Sequence, residues 1–437
     1  MVLNFNGGDL VIRCVEHLER LDWPEDRLDI VVVDNASSDG SDRDLERRPR
    51  VRLIRSPKNL GFPGNNLGMR DLDGVDYLGL VNNDAFVPPG YLQPLVAALA
   101  ADDTVGAACP KILLASQFVD LHLRIEPHSA PGDDRDLGVQ ASGLEVDGRD
   151  RWRAAGFAEG WYPAEHGGPA GDDWRWSAGT ALVRVPVEIG EAATAARLRL
   201  SSDRPGVAWV DAGGAKEPVD VSPEPRWVDV PLVGQRYDVV NNVGSVLVAG
   251  GWAGDRGFLE PDTGQYDEPQ DVFAWCGAGV LFPVDYLRDI GLFDERFFMY
   301  YEDTDMSWRG RARGWRYRYV PESVLRHVHA ATSVEGSPMF QHFVERNRLV
   351  MLTKNAPRRL AAGAAARFLL STASYARRDV VRPALGGHRP RLGLVRARLS
   401  SFAGYLRLLP AVLPDRRRIR AGQRVHDEAI TGWAVER

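Results

Sequence analysis

Three carboxylates fall within four positions, at Glu302, Asp303 and Asp305, directly behind an aromatic run that begins at Phe293. Carboxylates this close repel one another, and burial beside apolar rings raises their pKa values. A chain tolerates such a cluster where the charges bind a cation or serve as an acid or base. The alternative is a solvated acidic turn ahead of an amphipathic helix, and the cluster alone does not decide between the two.

A second polar segment, residues 34–41, follows the apolar run 28–33 and begins with Asp34. An acid at a strand end faces the binding crevice of an α/β sheet. Small polar residues then open a helix, where free backbone amides can meet an anion. An ordinary strand–turn–helix cap uses the same residue types, so the segment favours an anion site without requiring one.

Two more segments have compositions that suit phosphate and metal. Residues 59–68 form a loop rich in glycine and asparagine, whose backbone amides can hold a diphosphate. Asn82, Asn83 and Asp84 end a predicted strand, and one carboxylate with amide neighbours suits a hard divalent cation that also takes phosphate oxygens. A strand-ending Asx turn is the alternative for Asp84.

His327 and His329 follow a further strand-like run at a spacing of two. We expect only one of them to reach a metal. The other is then a hydrogen-bonded structural histidine.

The first hundred residues alternate between strand and helix signals, which predicts an α/β domain with a mostly parallel sheet. The predicted strands are 28–33, 51–54 and 77–81, and the predicted helices are 10–21, 65–72 and 90–101. Residues 1–5 look like the end of a buried strand, so we expect the strand to begin a few residues earlier than Met1.

From 161 to 252 the texture changes to short strand-like pieces separated by turn residues, without helical periodicity. This pattern predicts an inserted β-sandwich. The α/β texture returns after 272, with helices predicted from 284 and over 304–314, and residues 340–437 are expected to be helical.

Charge is unevenly distributed along the 437 residues. Residues 346–437 hold 20 Lys and Arg against 5 Asp and Glu, a net of +15, and since the whole chain carries −6 the remainder carries −21. Such a basic region suits an anionic surface, of which membrane phospholipid is the first candidate and nucleic acid the competitor. A helical bundle with its basic face in water is the alternative. Three distant cysteines favour a reducing compartment. No stretch of the sequence reaches the length of an apolar membrane span.

Taken in chain order, these segments resemble glycosyltransferase family 2, and within it the rhamnosyltransferase-like branch of bacterial cell-surface polysaccharide synthesis. The segments are 34–40, 59–62, 82–84, 276–279, 302–305 and 327–329. The resemblance covers about residues 1–158 and 253–355 and leaves the β-rich insert out. It implies a GT-A fold, which is Rossmann-like, and an inverting sugar transfer from a nucleotide-sugar.

The resemblance also implies roles for particular residues. Asp303 matches the general base, with Glu302 beside it, and Asp84 with His329 or His327 matches a site for Mg²⁺ or Mn²⁺. Asn82 stands where the family often has a first aspartate, which weakens the case for a metal. The implied nucleotide-sugar contacts are Asn4, Asn6, Asp34, Asn35, Ser37, Asp39, Gly61, Phe62, Asn65 and Asn83. The implied acceptor contacts are Gly277, Ala278, Trp308 and Arg309, with bracing of the helix as the alternative for the last two.

The sequence therefore predicts four domains: a nucleotide-sugar-binding part (1–160), the β-sandwich (161–252), an acceptor and catalytic part (253–355) and a basic helical region (356–437). The expected activity is transfer of rhamnose or a similar sugar from a dTDP- or UDP-sugar to a lipid-linked or cell-surface glycan. The expected place is the cytoplasm, peripheral at the inner face of the plasma membrane, with no nucleic acid partner. The alternative is a non-catalytic carbohydrate-binding protein, in which Trp209 and Trp227 of the insert stack on sugar rings, although core packing is the expected role of both.

Overall fold

The computed structural model describes residues 1–130, 133–165, 173–214, 216–328 and 337–436. The chain forms two compact units. The first comprises Met1–Leu113, Val240–Phe258 and Thr263–Arg437, and the second comprises Leu114–Val239 with Leu259–Asp262. The boundaries at 160 and 252 expected from the sequence therefore differ from the division seen in the structure.

The elements of the first unit come in two groups. Those before the second unit are β1 (Val2–Asn4), α1 (Gly8–Glu19), β2 (Ile30–Asp34), α2 (Ser41–Glu46), β3 (Val51–Arg55), β4 (Tyr77–Val81), β5 (Ala85–Phe86), α3 (Leu92–Ala100) and β6 (Val105–Leu114). The strands of the second unit are β7 (Gln117–Arg124), β8 (His128–Ser129), β9 (Asp136–Leu137), β10 (Gln140–Val146), β11 (Arg149–Asp150), β12 (Gly156–Phe157), β13 (Arg175–Trp176), β14 (Thr180–Val187), β15 (Ala195–Ser201), β16 (Gly206–Asp211), β17 (Lys216–Val221) and β18 (Arg226–Pro231).

The first unit then resumes with strands and ends in helices. Its later strands are β19 (Val240–Asn242), β20 (Ser245–Val248), β21 (Trp252–Asp255), β22 (Gln270–Asp271), β23 (Gly279–Pro283), β24 (Arg316–His327) and β25 (Ala434–Val435). Its later helices are α4 (Val284–Ile290), α5 (Glu302–Arg313), α6 (Pro338–Asn355), α7 (Arg358–Ala376), α8 (Arg382–Leu385), α9 (Gly393–Ala421) and α10 (Asp427–Thr431).

The core of the first unit consists of strands and covering helices, which confirms the expected α/β architecture, but the expected mostly parallel sheet is corrected, because the seven-stranded sheet is built from antiparallel pairs. Strands β1, β2 and β3 pair in parallel, and all five residues of β2 are buried, as the apolar run predicts. Beyond β1 the pairing changes, because β23 runs antiparallel to both β4 and β6. The parallel strands bring the carboxyl ends of β1 and β2, and with them Asn4 and Asp34, to one edge.

The second unit is a β-sandwich made of two antiparallel sheets around one apolar core. One sheet has the order β12-β14-β7-β16-β17, and the other has the order β11-β10-β15-β18. Two strands that the sequence prediction left in the first domain, β7 and β10, pair inside these sheets with β14 and β15. In contrast β20, which was expected in the insert, pairs with β21 and β25 in the first unit.

The C-terminal part of the first unit is helical, as expected. Helix α6 packs against α7 and α9, and apolar residues of these helices join the core that also holds Phe297, Tyr301 and Trp308. No helix within the described residues is long and apolar enough to cross a membrane.

Candidate functional site

Asn4, the last residue of β1, organises the loops at the carboxyl ends of β1 and β2. Its buried amide nitrogen donates to Asp34 Oδ1 (3.0 Å), Ser37 Oγ (3.1 Å) and Ser41 Oγ (2.9 Å). Its amide oxygen accepts from the backbone of Gly7 at 3.2 Å. Since the whole amide is engaged inside the protein, Asn4 holds the loops in place and is not an exposed contact for a nucleotide.

Asn6 and Asp39 lie at the exposed rim of the same loops. Asn6 Oδ1 accepts from the Ser38 amide at 2.7 Å, and Asp39 Oδ2 accepts from the Gly8 amide at 2.8 Å. Burial alone would raise the pKa of Asp39, but hydrogen bonds from Ser41 and from backbone amides lower it below its usual value. These contacts fix the crevice beside Asp34.

Gly61 brings the loop that follows β3 against the aromatic run that precedes α5. Its φ is +67°, and a Cβ placed there would lie 1.9 Å from the carbonyl oxygen of Phe298. That same carbonyl accepts from the Phe62 amide at 2.7 Å, and the side chain of Asn35 holds the loop from the other side through the Gly61 carbonyl (3.1 Å). Two segments that the sequence analysis singled out, 59–62 and the aromatic run, are therefore in direct contact.

Asn65 and Asn83 have different surroundings in these loops. Asn65 is buried, and its side chain donates to the Phe62 carbonyl at 2.9 Å, which makes it part of the loop's scaffold. Asn83 is half-buried and lies close to Gly7. A Cβ added to Gly7 would be 2.7 Å from Asn83 Nδ2.

Asp84 and His327 form a pair on the neighbouring strands. His327 ends β24 opposite Ala85 of β5, and its Nε2 lies 3.1 Å from Asp84 Oδ1. Asn82 Nδ2 is 3.4 Å from the same nitrogen. Both side chains of the pair are about one-tenth exposed. Of the two histidines expected near a metal, His327 is thus beside Asp84, whereas His329 lies outside the described residues.

The donor set of this pair fits a divalent cation that keeps open positions. Mg²⁺ is commonly held by one or two protein side chains together with substrate phosphates and water. Two neighbouring ligands of an octahedral cation with bonds of about 2.1 Å are about 3.0 Å apart, close to the observed separation. Among the described residues no group of three or more His, Cys, Asp or Glu side chains could hold a metal, so phosphate or water would supply the remaining ligands.

The loop before α5 is strained. Phe298, Tyr300 and Tyr301 have φ values of +64°, +67° and +69°, which cost bulky side chains about 1–3 kcal/mol each. Asn347 of α6 is fully buried and stabilises this conformation. Its amide nitrogen donates to three carbonyls of the loop, those of Phe297 (2.9 Å), Met299 (2.7 Å) and Tyr300 (2.8 Å). Strain held in this way places Glu302 and Asp303 in the first turn of α5.

Glu302 and Asp303 are not part of a solvated turn. Glu302 is only 7 % exposed, and its Oε2 has no hydrogen-bond partner among the described residues. Burial, followed by the charge of Asp303, raises the pKa of Glu302 well above its usual value. Burial also raises the pKa of Asp303, to about 6, against hydrogen bonds from Thr304 and with a further contribution from the charge of Asp255. Such a pair contains one carboxyl group that titrates near neutral pH.

Asp305 has the opposite surroundings, although it lies only two residues further on. It is fully buried, and its oxygens accept from Arg309 Nε (3.0 Å), Lys354 Nζ (2.8 Å) and Asn355 Nδ2 (2.7 Å). These contacts make Asp305 a structural residue that ties α5 to α6.

The acceptor role expected of Trp308 and Arg309 is corrected by their positions. Trp308 is 1 % exposed and packs edge-on against Phe273, with ring centroids 5.6 Å apart. The Arg309 guanidinium is occupied by Asp305 and by the carbonyl of Leu292 (2.9 Å). Both residues therefore brace α5 from inside the core.

Gly277 and Ala278 connect the segment of Asn82 with the Asp303 carboxylate. The Ala278 carbonyl accepts from the Asn82 amide at 3.1 Å, and the backbone of Gly277 hydrogen-bonds the Asp303 carboxylate. A Cβ on Gly277 would fall 2.7 Å from the Phe62 ring, so only glycine fits this close approach. The acceptor role of this turn stays a prediction.

The sequence analysis missed three polar residues of the site. Asn241 Oδ1 lies 2.9 Å from His327 Nδ1, Asn242 donates to Asp255, and the charge of Asp255 acts on Asp303. Asn241 and Asn242 lie in 161–252, which was expected to be the insert, whereas Asp255 lies just after it, in the expected acceptor and catalytic part. The paired asparagines repeat the Asn82-Asn83 pattern, and that was the available signal.

A cavity of about 1140 Å³ in the first unit is remote from these residues. It lies at the amino ends of β2 and β4, among Ile30, Val31, Tyr77 and Gly79. The Met1 amine is buried beside it and donates to the Gly79 carbonyl at 2.7 Å. Ligands of α/β sheets bind at the carboxyl ends of the strands, so this cavity is not the catalytic crevice.

Two family models match the sequence, one near its beginning and one after most of the second unit. Glycosyl transferase family 2 matches residues 1–140, and Glycosyl transferase family group 2 matches residues 238–377. None of the curated proteins matches the sequence significantly.

Several solved structures are similar to the chain at low identity. GalNAc-T7 with UDP, GalNAc and Mn²⁺ is 13 % identical with a TM-score of 0.42, over 81 % of this chain and 47 % of that one. The mannosyltransferase PcManGT from Pyrobaculum calidifontis with GDP-Man and Mn²⁺ is 15 % identical with a TM-score of 0.39, over 93 % and 85 %. S. aureus TarS 1–349 with UDP is 12 % identical with a TM-score of 0.37, over 98 % and 87 %. The chain thus spans about half the length of the first of these and most of the other two.

Proposed function

We propose that this chain, a glycosyltransferase of family 2 with the GT-A fold, moves a sugar from a dTDP- or UDP-linked donor to an acceptor hydroxyl group with inversion. The observation that carries the proposal is the carboxyl group of Asp303, whose pKa burial raises to about 6 in the first turn of a helix held by a strained loop. An acid that titrates near neutral pH suits a general base.

The transfer involves one proton, which moves to Asp303, and one leaving group, the nucleoside diphosphate. The acceptor hydroxyl gives its proton to the Asp303 carboxylate while its oxygen bonds to the anomeric carbon. The bond from that carbon to the diphosphate breaks, and the diphosphate leaves with the electron pair. Asp84 and His327 would hold Mg²⁺ or Mn²⁺, which offsets the charge gathering on the diphosphate.

The donor is tested by a screen of nucleotide-sugars with Mn²⁺, which reads both thermal stabilisation and release of the nucleoside diphosphate. A bound donor raises the unfolding temperature by mass action. We expect a dTDP- or UDP-sugar to do so, and dTDP-rhamnose first of all, in keeping with the resemblance. Stabilisation by none of the nucleotide-sugars, in a preparation that is folded by circular dichroism, would contradict the proposal.

A lipid-linked or cell-surface glycan as the acceptor is supported by the surface of α9. Four exposed leucines follow one another at intervals of seven residues, Leu392, Leu399, Leu406 and Leu413. Seven residues are close to two helical turns, so the leucines form one stripe. Exposed arginines flank the stripe, at Arg396, Arg407, Arg417 and Arg418. An apolar stripe among arginines suits the interface of an anionic bilayer, which supports a position at the inner face of the plasma membrane.

Flotation with liposomes tests this surface. We expect the chain to float with vesicles that contain anionic lipid, and Leu399→Glu with Leu406→Glu to abolish flotation because two carboxylates are set into the stripe. Ser400→Glu adds a carboxylate at an exposed position of the same helix outside the stripe and serves as the charge control. Equal flotation of the double variant and the control would contradict the membrane partner, and salt-dependent retention on DNA would favour nucleic acid.

A second function, carbohydrate binding by the β-sandwich, is favoured by the exposure of its tryptophans. Trp209 is 46 % exposed and Trp227 is 37 % exposed, so the expected core packing is corrected. Both belong to alternate positions of their strands that point away from the apolar core. We expect Trp209→Ala or Trp227→Ala to weaken retention of the whole chain on a glycan array, with Ile189→Ala, an exposed apolar position of the same unit, as the control.

A further inference from the structure

His327 touches polar groups on both nitrogens of its ring. Its Nδ1 lies 2.9 Å from Asn241 Oδ1. Its Nε2 lies 3.1 Å from Asp84 Oδ1 and 3.4 Å from Asn82 Nδ2. A neutral imidazole carries a proton on one nitrogen and a lone pair on the other, so these neighbours decide which nitrogen can bind a metal.

Two of the contacts agree on the tautomer. An amide oxygen on Asn241 accepts a hydrogen bond, which requires the proton on Nδ1 of His327. The Asn82 amide nitrogen donates, which requires a lone pair on Nε2. In this tautomer the Nε2 lone pair faces the Asp84 carboxylate at 3.1 Å, and a cation bound by both would offset the repulsion between the two acceptors.

The backbone aims Asn241 at the ring. Strand β19 pairs with β6, and its register shifts between Val240 and Asn242, so Asn241 is the extra residue of a β-bulge. A bulge re-aims a side chain and is frequent next to active sites. Asn241 is 4 % exposed, which protects its contact with His327 from competing water.

We propose that Asn241 is a positioning residue that holds His327 as the Nδ1-protonated tautomer and thereby presents the Nε2 lone pair, beside Asp84, to a divalent cation. Hydrogen bonds of this type fix the ring orientation and raise the basicity of a metal-bound histidine. The inference rests on the metal of the proposed function and adds to it the group that orients His327 beside Asp84.

Binding of Mn²⁺ alone tests the proposal, read from the decrease of the free-ion paramagnetic resonance signal. We expect Asn241→Leu to weaken Mn²⁺ binding about 10- to 100-fold, because the ring loses its acceptor. Asn241→Asp keeps an acceptor at the same place, and we expect it to bind Mn²⁺ at least as tightly as the unchanged protein. Retained Mn²⁺ binding in Asn241→Asp separates a positioning role from a general structural effect, since Asn241→Asp and Asn241→Leu both remove the buried amide.

Nitrogen NMR of the histidine rings adds a readout that needs no variant at Asn241. In the metal-free protein labelled at its nine histidines, His327 is assigned by its loss in His327→Gln. A protonated Nδ1 with a bare Nε2 supports the proposal, and the reverse tautomer overturns it even if Asn241→Leu fails to fold.

Asp84→Ala separates this inference from the proposed metal site. If Asp84→Ala loses Mn²⁺ while Asn241→Leu binds it normally, the positioning role is overturned and the metal site stands. If neither variant changes Mn²⁺ binding, the metal site and the inference are both overturned.

Discussion

Two groups of carboxylates lie within twelve residues of one another, and their surroundings differ. Asp294 and Asp305 share the ammonium of Lys354, at 2.7 Å and 2.8 Å. Burial alone would raise the pKa of Asp294, but Arg296 and Lys354 lower it well below its usual value. Glu302 is buried and Asp303 is half-buried, neither is paired with a cation among the residues that the structure describes, and their pKa values are raised.

The difference shows how one acidic segment is divided between stability and chemistry. A buried carboxylate that meets a cation stays charged and joins elements, as Asp305 joins α5 to α6. A buried carboxylate without one is held at a cost and can take up a proton near neutral pH. Arg296 and Arg309 are close in the sequence, but the shared cation Lys354 comes from α6, about fifty residues after Asp305. Spacing alone therefore does not distinguish these fates.

The largest effect is expected on turnover when Asp303 is made neutral. Asp303→Asn keeps the shape and removes the proton acceptor, so turnover should fall by about 10³-fold while the affinity for the donor is retained. Release of the nucleoside diphosphate in the presence of acceptor measures the first, and calorimetric titration measures the second. Asp289→Asn, an acid of the first unit that is paired with Arg313 away from the site, is the control. Near-normal turnover in Asp303→Asn would contradict the assignment of Asp303 as the general base.

The next largest effect is expected on the free energy of unfolding, when the cation shared by Asp294 and Asp305 is removed. Lys354→Met leaves Asp294 and Asp305 buried without their common ammonium, and breaking a buried ion pair costs about 3–5 kcal/mol. Urea unfolding at pH 7 measures the loss. Lys58→Met, at an exposed position, should change the free energy of unfolding by less than about 0.5 kcal/mol. An equal effect of both substitutions would show that the two groups of carboxylates do not differ as described.

Much of the first half of the site follows from local sequence. The apolar run before Asp34 predicts both the strand and the position of the acid at its end, and β2 (Ile30–Asp34) confirms this. The contact between Asp84 and His327 joins residues 243 positions apart through pairing of β5 with β24, which no local pattern contains. The limits of the insert were misplaced for the same reason, because β7 and β10 find their partners β14 and β15 about sixty residues later. Asn241 depends on a bulge, and a bulge is a property of two paired strands.

The stability of Asp303→Asn should move in the opposite direction from its turnover. The pKa of Asp303 is about 6 in the folded chain and about 3.8 when unfolded, so its ionisation opposes folding. The cost is absent below about pH 4, grows as the pH rises to 6, and reaches about 3 kcal/mol above it. Asp303→Asn lacks this cost, and its advantage in urea unfolding should be near zero at pH 4 and largest at pH 7 and above. Turnover of the unchanged enzyme should rise with pH through about 6. A variant no more stable than the parent at pH 7 would contradict the raised pKa.

The smallest effect concerns the buried Met1 amine at the start of β1. Burial lowers the pKa of the Met1 amine from 8.0 to about 6, so the unfolded chain binds more protons between these values and stability rises with pH. Adding three strand-forming residues before Met1 replaces the amine by a peptide group that keeps the hydrogen bond to Gly79. The extended chain should gain about 1–2 kcal/mol at pH 7 and lose this pH dependence. An extension of the same length with proline at its second position removes a ladder hydrogen bond and is the control. Equal stability of the two extended chains would show that no strand forms along β2 and β4 ahead of Met1.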